Sequence, residues 1–129
     1  MKVIIAGTRY KDKDAKIAFD DYSLVVKAVE RSGFAITEVV SGCAIGADRL
    51  GEQWARANNV PIKEMPADWN CYNRAAGPIR NSDMAEYADA AIVVWDGMSP
   101  GSRNMVENMI RRKKPYYVAL TTRTLEDFM

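Results

Sequence analysis

The chain has 129 residues and a formal net charge of +1, and 48% of its residues are hydrophobic. This length suits one soluble domain, residues 1–129, which can bury a core without disulfides or metals. The near-neutral charge argues against a protein built mainly to coat nucleic acid or an anionic membrane.

The chain contains two cysteines and no histidine, which limits its chemistry. A disulfide scaffold needs more cysteines, and histidine-based triads and histidine-ligated zinc are excluded. We therefore expect no metal and no cofactor. No apolar run reaches the length of a membrane span, and the start, "MKVIIAGTR", lacks the longer apolar stretch of a signal peptide. We expect a cytoplasmic protein that has no contact with membranes.

The first half of the chain alternates apolar runs with amphipathic stretches. Val3 to Ala6 is a continuous apolar run ending at Gly7, which is typical of a strand buried on both faces. After a polar loop, helical spacing predicts a helix that Asp20 or Asp21 caps and Gly33 ends. The next predicted elements are a strand, a helix and a short strand at residues 36–40, 47–57 and 61–65.

The second half of the chain begins with an irregular segment from Pro66 that carries Trp69 and Tyr72. Strands and helices then alternate again. The predicted elements are a short helix around residues 84–88, a strand at 90–95, a helix beginning near Ser102 and a strand at 115–120.

This alternation predicts an α/β fold, in which a doubly wound, mostly parallel five-stranded sheet carries helices on both faces. Ligands of such sheets bind at the carboxyl ends of the strands. Three loops fall at that edge: "GTR" after the first strand, "SGCAIGAD" after the second and "DGMSPGS" after the fourth. We therefore predict a ligand-binding site at this edge.

The glycines of these loops have two interpretations. Gly42 and Gly46 leave no side chain above the backbone, and the N–H groups of a helix that starts there form a phosphate site. The alternative is a tight turn with close packing of helix on strand. Ser102 likewise offers a hydroxyl to a ligand or acts as an N-cap. The candidate ligand-binding residues of the three loops are Gly7, Thr8, Arg9, Ser41, Gly42, Cys43, Gly46, Ala47, Asp48, Asp96, Gly97, Ser99, Gly101 and Ser102.

Two further pairs of residues are candidates for ligand contact. Arg80 and Asn81 stand near the start of a predicted helix, where an arginine opposes the helix dipole unless an anion is near. A surface salt bridge is the alternative. Trp69 and Tyr72 can stack on a nucleobase, although aromatic residues more often cover the core.

Three segments together resemble the YspA-type branch of the SLOG superfamily: "MKVIIAGTR", "VVSGCAIGADRLGEQWA" and "PADWNCYNRAAGPIRNSDMAEYADAAIVVWDGMSPGSRNM". The resemblance covers almost the whole chain and implies a Rossmann-like fold with a nucleotide-type ligand. This branch is frequent in phages. The superfamily includes LOG enzymes, which release a base from a nucleoside monophosphate, the DNA-processing protein DprA, and sensor domains for signals such as cyclic ADP-ribose.

The chain departs from the LOG enzymes at one position. Their P-G-G-x-G-T-x-x-E motif supplies a glutamate that serves glycosidic cleavage with an upstream arginine, which Arg80 matches. Gly101 and Ser102 match the G-T pair, but the glutamate position holds Met105. Glu107, the nearest acid, lies on a helix face about 200° away. The resemblance thus implies phosphate binding without the catalytic carboxylate.

Three functions remain open from the sequence. The first is binding of a nucleotide-derived molecule, such as a cyclic ADP-ribose-like signal, which a phage protein could sense or sequester. The second is LOG-type hydrolysis of a nucleotide N-glycosidic bond, with Arg80, Glu107 and Asp48 as catalytic candidates and Asp96 as a substitute acid. The third is single-stranded DNA binding of the DprA type, which the neutral composition disfavours, so we do not expect nucleic acid as a partner.

We also expect a homo-oligomer, most simply a dimer. The last predicted helix carries the apolar residues Met105, Val106, Met109 and Ile110 on one face, which suits either the core or an interface between subunits. Two-fold dimers are the commonest closed assembly.

Overall fold

The computed structural model describes residues 1–121, in which strands and helices alternate. The strands are β1 (Lys2–Gly7), β2 (Glu38–Ser41), β3 (Ile62–Glu64), β4 (Ala90–Trp95) and β5 (Tyr116–Leu120). The helices are α1 (Tyr22–Ser32), α2 (Ala47–Ala57), α3 (Trp69–Tyr72), α4 (Ala76–Tyr87) and α5 (Pro100–Arg111), with a 3-10 turn at Asn73–Ala75. No helix in this part of the chain is both long and apolar enough to span a membrane.

The five strands form one sheet in the order β3-β2-β1-β4-β5, and every neighbouring pair is parallel. Val3 of the central strand β1 lies opposite Val39 of β2 on one side and Ala90 of β4 on the other. The predicted doubly wound, parallel α/β sheet is thus confirmed. The chain runs from β1 to β2 and β3 on one side of the sheet and then to β4 and β5 on the other side. A crevice therefore opens between the carboxyl ends of β1 and β4, where such sheets bind ligands.

Two hydrophobic cores cover the two faces of the sheet. Side chains alternate between the faces of a strand, so Ile5 packs with α1 and α2 whereas Ile4 packs with α4 and α5. Both isoleucines are fully buried. The helices on both faces explain why the strands read as continuous apolar runs rather than alternating ones.

The observed ends of α1 and α5 can be compared with those that the sequence predicts. Asp21 caps α1 by accepting a hydrogen bond from the Leu24 N–H at 3.2 Å, and Gly33 ends α1 with φ 71°, as the sequence predicts. α5 begins at Pro100, two residues before Ser102, so the interpretation of Ser102 as the N-cap is wrong and Ser99 holds that position. Proline suits the first helical position, where its missing N–H costs nothing.

The apolar face of α5 packs inside the chain. Met105 and Met109 are buried in the core that α5 forms with α4 and the sheet, and Val106 is partly buried there. Ile110 is exposed. Because the two methionines are already covered, this face gives no support to the expected homo-oligomer, which stays a prediction.

Gly46 shows how tightly α2 is joined to the end of β1. Its φ is +85°, and an added Cβ atom would clash with the Thr8 carbonyl oxygen and lie 2.6 Å from the Arg9 Cα. That carbonyl also accepts the Ala47 N–H at 3.0 Å. The glycine is therefore needed for close packing of two backbones, which was one of its two interpretations.

We predict that Gly46→Ala lowers the free energy of unfolding by about 2 kcal/mol or more, because it combines a left-handed backbone with a clash against main-chain atoms. Gly101→Ala is the matched control, since a Cβ atom there meets nothing within 4 Å. It should be neutral or stabilise the helix by up to about 1 kcal/mol. Urea denaturation measures both, and equal stabilities of the two variants would contradict the packing argument.

Candidate functional site

A cavity of about 440 Å³ opens at the predicted crevice, between the carboxyl end of β1 and the N-terminal ends of the helices around it. Cavities of this size commonly hold small molecules. The residues that line the cavity are Ala6, Gly7, Arg9, Ala44, Asp48, Trp69, Arg74, Gly77, Pro78, Arg80, Asn81, Met84, Ser99, Pro100, Gly101, Ser102, Asn104 and Met105.

Arg80 reaches across the cavity wall from α4 to the end of β2. Its Nη1 donates a hydrogen bond of 2.6 Å to the Gly42 carbonyl oxygen, and its Nε donates one of 3.0 Å to Oδ1 of Asn81. A Cβ atom at Gly42 would clash with Nη1. Position 42 therefore requires a glycine because the guanidinium of Arg80 occupies the space that a side chain would fill. Arg80 Nη2 makes no hydrogen bond to residues 1–121 and remains available to a ligand.

Asp48 lies in the first turn of α2 and is only 5% exposed. Its Oδ2 accepts a hydrogen bond of 3.2 Å from the Ala44 N–H. Burial raises the pKa of the Asp48 carboxyl to about 6, and the positive charge of Arg80 limits the rise. Burial in turn lowers the pKa of Arg80, but a guanidinium keeps its proton in proteins. At neutral pH the cavity thus contains a buried, mostly ionised carboxylate beside a guanidinium.

The N-terminus of α5 forms another part of the cavity wall. The side-chain amide of Asn81 donates to the Gly101 carbonyl oxygen at 3.2 Å and to Oδ1 of Asn104 at 3.0 Å, which holds α4 against α5. The N–H groups of Gly101 and Ser102 donate to no acceptor within residues 1–121. Unpaired N–H groups at the positive end of a helix dipole attract an anion.

The mouth of the cavity carries an aromatic side chain and two arginines. Trp69 of α3 is 49% exposed, and the guanidinium carbon of Arg9 lies 5.9 Å from the centre of its ring. Arg74, in the 3-10 turn after α3, is exposed and lines the same opening. A half-exposed indole with a cation near its ring suits a planar group that belongs to an anion.

Half of the predicted ligand-binding residues line this cavity and half do not. The residues that line it are Gly7, Arg9, Asp48, Trp69, Arg80, Asn81, Ser99, Gly101 and Ser102. The residues outside the lining are Thr8, Ser41, Gly42, Cys43, Gly46, Ala47, Tyr72, Asp96 and Gly97.

The residues outside the lining have internal roles in several cases. The Ser41 hydroxyl donates a 2.6 Å hydrogen bond to the buried carboxylate of Glu52, and the Cys43 N–H donates to the same hydroxyl. The Asp96 carboxylate accepts the Ser99 N–H at 2.7 Å and so shapes the turn before α5. Glu107, a catalytic candidate, is exposed on α5 and is not part of the lining.

Sequence reasoning missed several residues of the lining. Asn104 follows Gly101 at the three-residue spacing of a helix face, so a correct start for α5 would have placed it beside the cavity. Arg74 and Gly77 belong to the irregular segment, where no periodicity shows which side chains face inward. Met84 and Met105 are buried apolar residues at the base of the cavity and carry no polar signal.

A parallel sheet of order β3-β2-β1-β4-β5 with a cavity at its crossover defines a Rossmann-like α/β domain. The model of the YspA, cpYpsA-related SLOG family (YAcAr) matches residues 1–72, and the chain belongs to this family. The matched part contributes Gly7, Arg9, Asp48 and Trp69 to the cavity, and the Arg80 and α5 side of it lies beyond the match.

Two further proteins are similar to this chain. The Gene 61 protein of Mycobacterium phage D29 is 30% identical over 110 residues, which cover 80% of this chain and 83% of that protein. The crystal structure of DNA processing protein A (DprA) from Streptococcus pneumoniae superimposes with a TM-score of 0.68 at 18% sequence identity. The match covers 91% of this chain and 49% of DprA, so the chain spans about half the length of that protein.

We predict that Asp48→Asn gains stability relative to the natural chain as the pH rises. The pKa of Asp48 rises from an ordinary 3.8 to about 6 on folding, so the folded state holds its proton more tightly. The natural chain therefore loses stability as the pH passes from about 4 to above 6, and the amide does not. Between pH 4.5 and 7.5 the difference in the free energy of unfolding should shift by roughly 2 kcal/mol in favour of Asn.

The control for this prediction is Glu30→Gln, which removes an exposed carboxylate from α1, across the sheet from the cavity. Its stability difference from the natural chain should be nearly constant over the same pH range. Urea titrations at several pH values measure both variants. A pH-independent difference for Asp48→Asn would mean that the pKa of this carboxyl is ordinary.

Proposed function

We propose that the cavity binds a nucleotide-derived small molecule, with a phosphate at the N-terminus of α5 and a base against Trp69. The proposal rests on hydrogen-bond donors in the cavity wall that have no acceptor within residues 1–121. The Gly101 and Ser102 N–H groups and Nη2 of Arg80 all belong to the cavity wall and have no partner within residues 1–121. Backbone N–H groups and a guanidinium together are the usual partners of phosphate.

The charge of the cavity wall agrees with an anionic ligand. Three arginines, Arg9, Arg74 and Arg80, and one carboxylate, Asp48, line it, although the whole chain is nearly neutral. The exposed ring of Trp69 gives a base a surface to stack on at the opening. Membership of the SLOG family supports a nucleotide-related ligand, and the likeness to a phage protein is compatible with sensing or sequestering a signalling nucleotide.

The alternative of LOG-type hydrolysis lacks a carboxylate at the expected place. Met105 is buried at the base of the cavity, and a thioether neither carries negative charge nor takes up a proton at neutral pH. Glu107 is exposed outside the cavity. We therefore propose that the ligand is held rather than cleaved.

We predict that Arg80→Gln weakens binding of adenosine monophosphate (AMP) and ADP-ribose by about 10- to 100-fold, because it removes a charge-assisted hydrogen bond to phosphate. Arg31→Gln, which removes an exposed arginine from α1 on the other face of the sheet, is the control and should bind as the natural chain does. Calorimetry measures the affinities. Unchanged affinity in Arg80→Gln would remove this arginine from the site.

We also predict that AMP and ADP-ribose are recovered intact after incubation with the protein. Loss of the motif's carboxylate costs about two to four orders of magnitude in rate, judged from acid–base contributions to catalysis. Chromatography of the mixture detects any released base. Turnover near one per second that disappears in Asp48→Asn would instead place the protein among the glycosidic hydrolases, with Asp48 as the acid.

A further inference from the structure

Asp48 is the one carboxylate among the side chains that line the cavity in the described part of the chain. Its Oδ2 accepts the Ala44 N–H, whereas Oδ1 accepts no hydrogen bond from residues 1–121. Oδ1 is accessible from the cavity, since no buried side-chain oxygen in residues 1–121 lacks a hydrogen-bond partner, and a carboxylate oxygen can accept two hydrogen bonds. The cavity therefore holds acceptor capacity that a ligand can satisfy.

Arg80 does not use up this capacity. Its Nε and Nη1 donate to Asn81 and Gly42, and no ion pair within 4.0 Å joins its guanidinium to Asp48. The positive charge acts on the carboxylate only through space. The same cavity wall offers donors for an anion, but the negative charge of Asp48 repels a bare phosphate. A ligand that also gives hydrogen bonds to Asp48 from another group is therefore favoured over phosphate alone.

The donors of such a ligand follow from the arrangement of the wall. The α5 N–H groups suit the phosphate, and Trp69 at the exposed mouth suits the base. The sugar connects the two in every nucleotide and passes the interior of the cavity, where Asp48 is only 5% exposed. The 2′- and 3′-hydroxyls of a ribose are two donors close enough for one carboxylate to accept both. A 2′-deoxyribose lacks one of these two donors.

We infer that Asp48 is a specificity-determining residue that accepts hydrogen bonds from the 2′- and 3′-hydroxyls of the ligand, so that the cavity selects ribonucleotides over 2′-deoxyribonucleotides. The inference rests on the proposed function, since it presumes a nucleotide in the cavity. Its physical basis is that a site built around a hydroxyl rejects an analogue without one, because the buried carboxylate then stays unpaired. The same selection disfavours DNA, whose sugars have no 2′-hydroxyl.

The test compares AMP with 2′-deoxy-AMP on the natural chain, Asp48→Asn and Glu30→Gln by calorimetry at pH 8. At this pH the Asp48 carboxyl, with its pKa of about 6, is ionised. The natural chain and the Glu30→Gln control should prefer AMP by at least about tenfold, one hydrogen bond to a charged group. In Asp48→Asn the preference should fall below about threefold, with binding of 2′-deoxy-AMP retained or improved because the carboxylate no longer repels the phosphate.

The outcomes separate the two proposals. Equal affinity of the natural chain for AMP and 2′-deoxy-AMP would overturn the role of Asp48 and leave nucleotide binding in place. A preference for AMP that persists unchanged in Asp48→Asn would also overturn it. No binding of either nucleotide, nor of ADP-ribose, would overturn the proposed function itself. Tight binding of oligothymidylate that AMP displaces would place a deoxyribose in the cavity and contradict the inference.

Discussion

The hydrogen bond from Arg80 to the Gly42 carbonyl oxygen holds the candidate site together. It joins residues 38 positions apart and connects α4 to the end of β2 across the crevice. It also places a guanidinium beside the buried carboxylate of Asp48, which has no ion-pair partner within residues 1–121. Removing this half-buried cation would leave the buried carboxylate uncompensated, so the arginine serves both the shape and the charge of the cavity.

The order of the elements could be predicted from the sequence because each signal is local. Continuous apolar runs mark strands that are covered on both faces, and amphipathic stretches between them mark the covering helices. The ligand edge of the sheet follows from topology alone. The start of α5 was missed because Ser102 resembles an N-cap. In the structure Pro100 is the first helical residue, and Ser99 is the N-cap although its side chain makes no capping hydrogen bond.

The individual site residues were harder to predict, because loops place neighbouring residues on opposite faces. In "SGCAIGAD", Ser41 points to Glu52 on the α2 face, and Asp48 points into the cavity. The glycines of this loop look like a phosphate cradle, yet Gly42 makes room for Arg80 and Gly46 for the backbone at Thr8. Only three-dimensional contacts distinguish a glycine that admits a ligand from one that admits the protein itself.

The cavity wall places its hydrogen-bond donors and its one carboxylate within the described residues on different helices. Donors without acceptors at α5 face a base of buried methionines, Met84 and Met105, and one carboxylate on the opposite helix, α2. A glycosidase needs a carboxylate close to the sugar carbon that becomes positive. In the proposed complex Asp48 of α2 contacts the ribose hydroxyls close to that carbon, so the same carboxylate decides both the proposed choice of sugar and any cleavage.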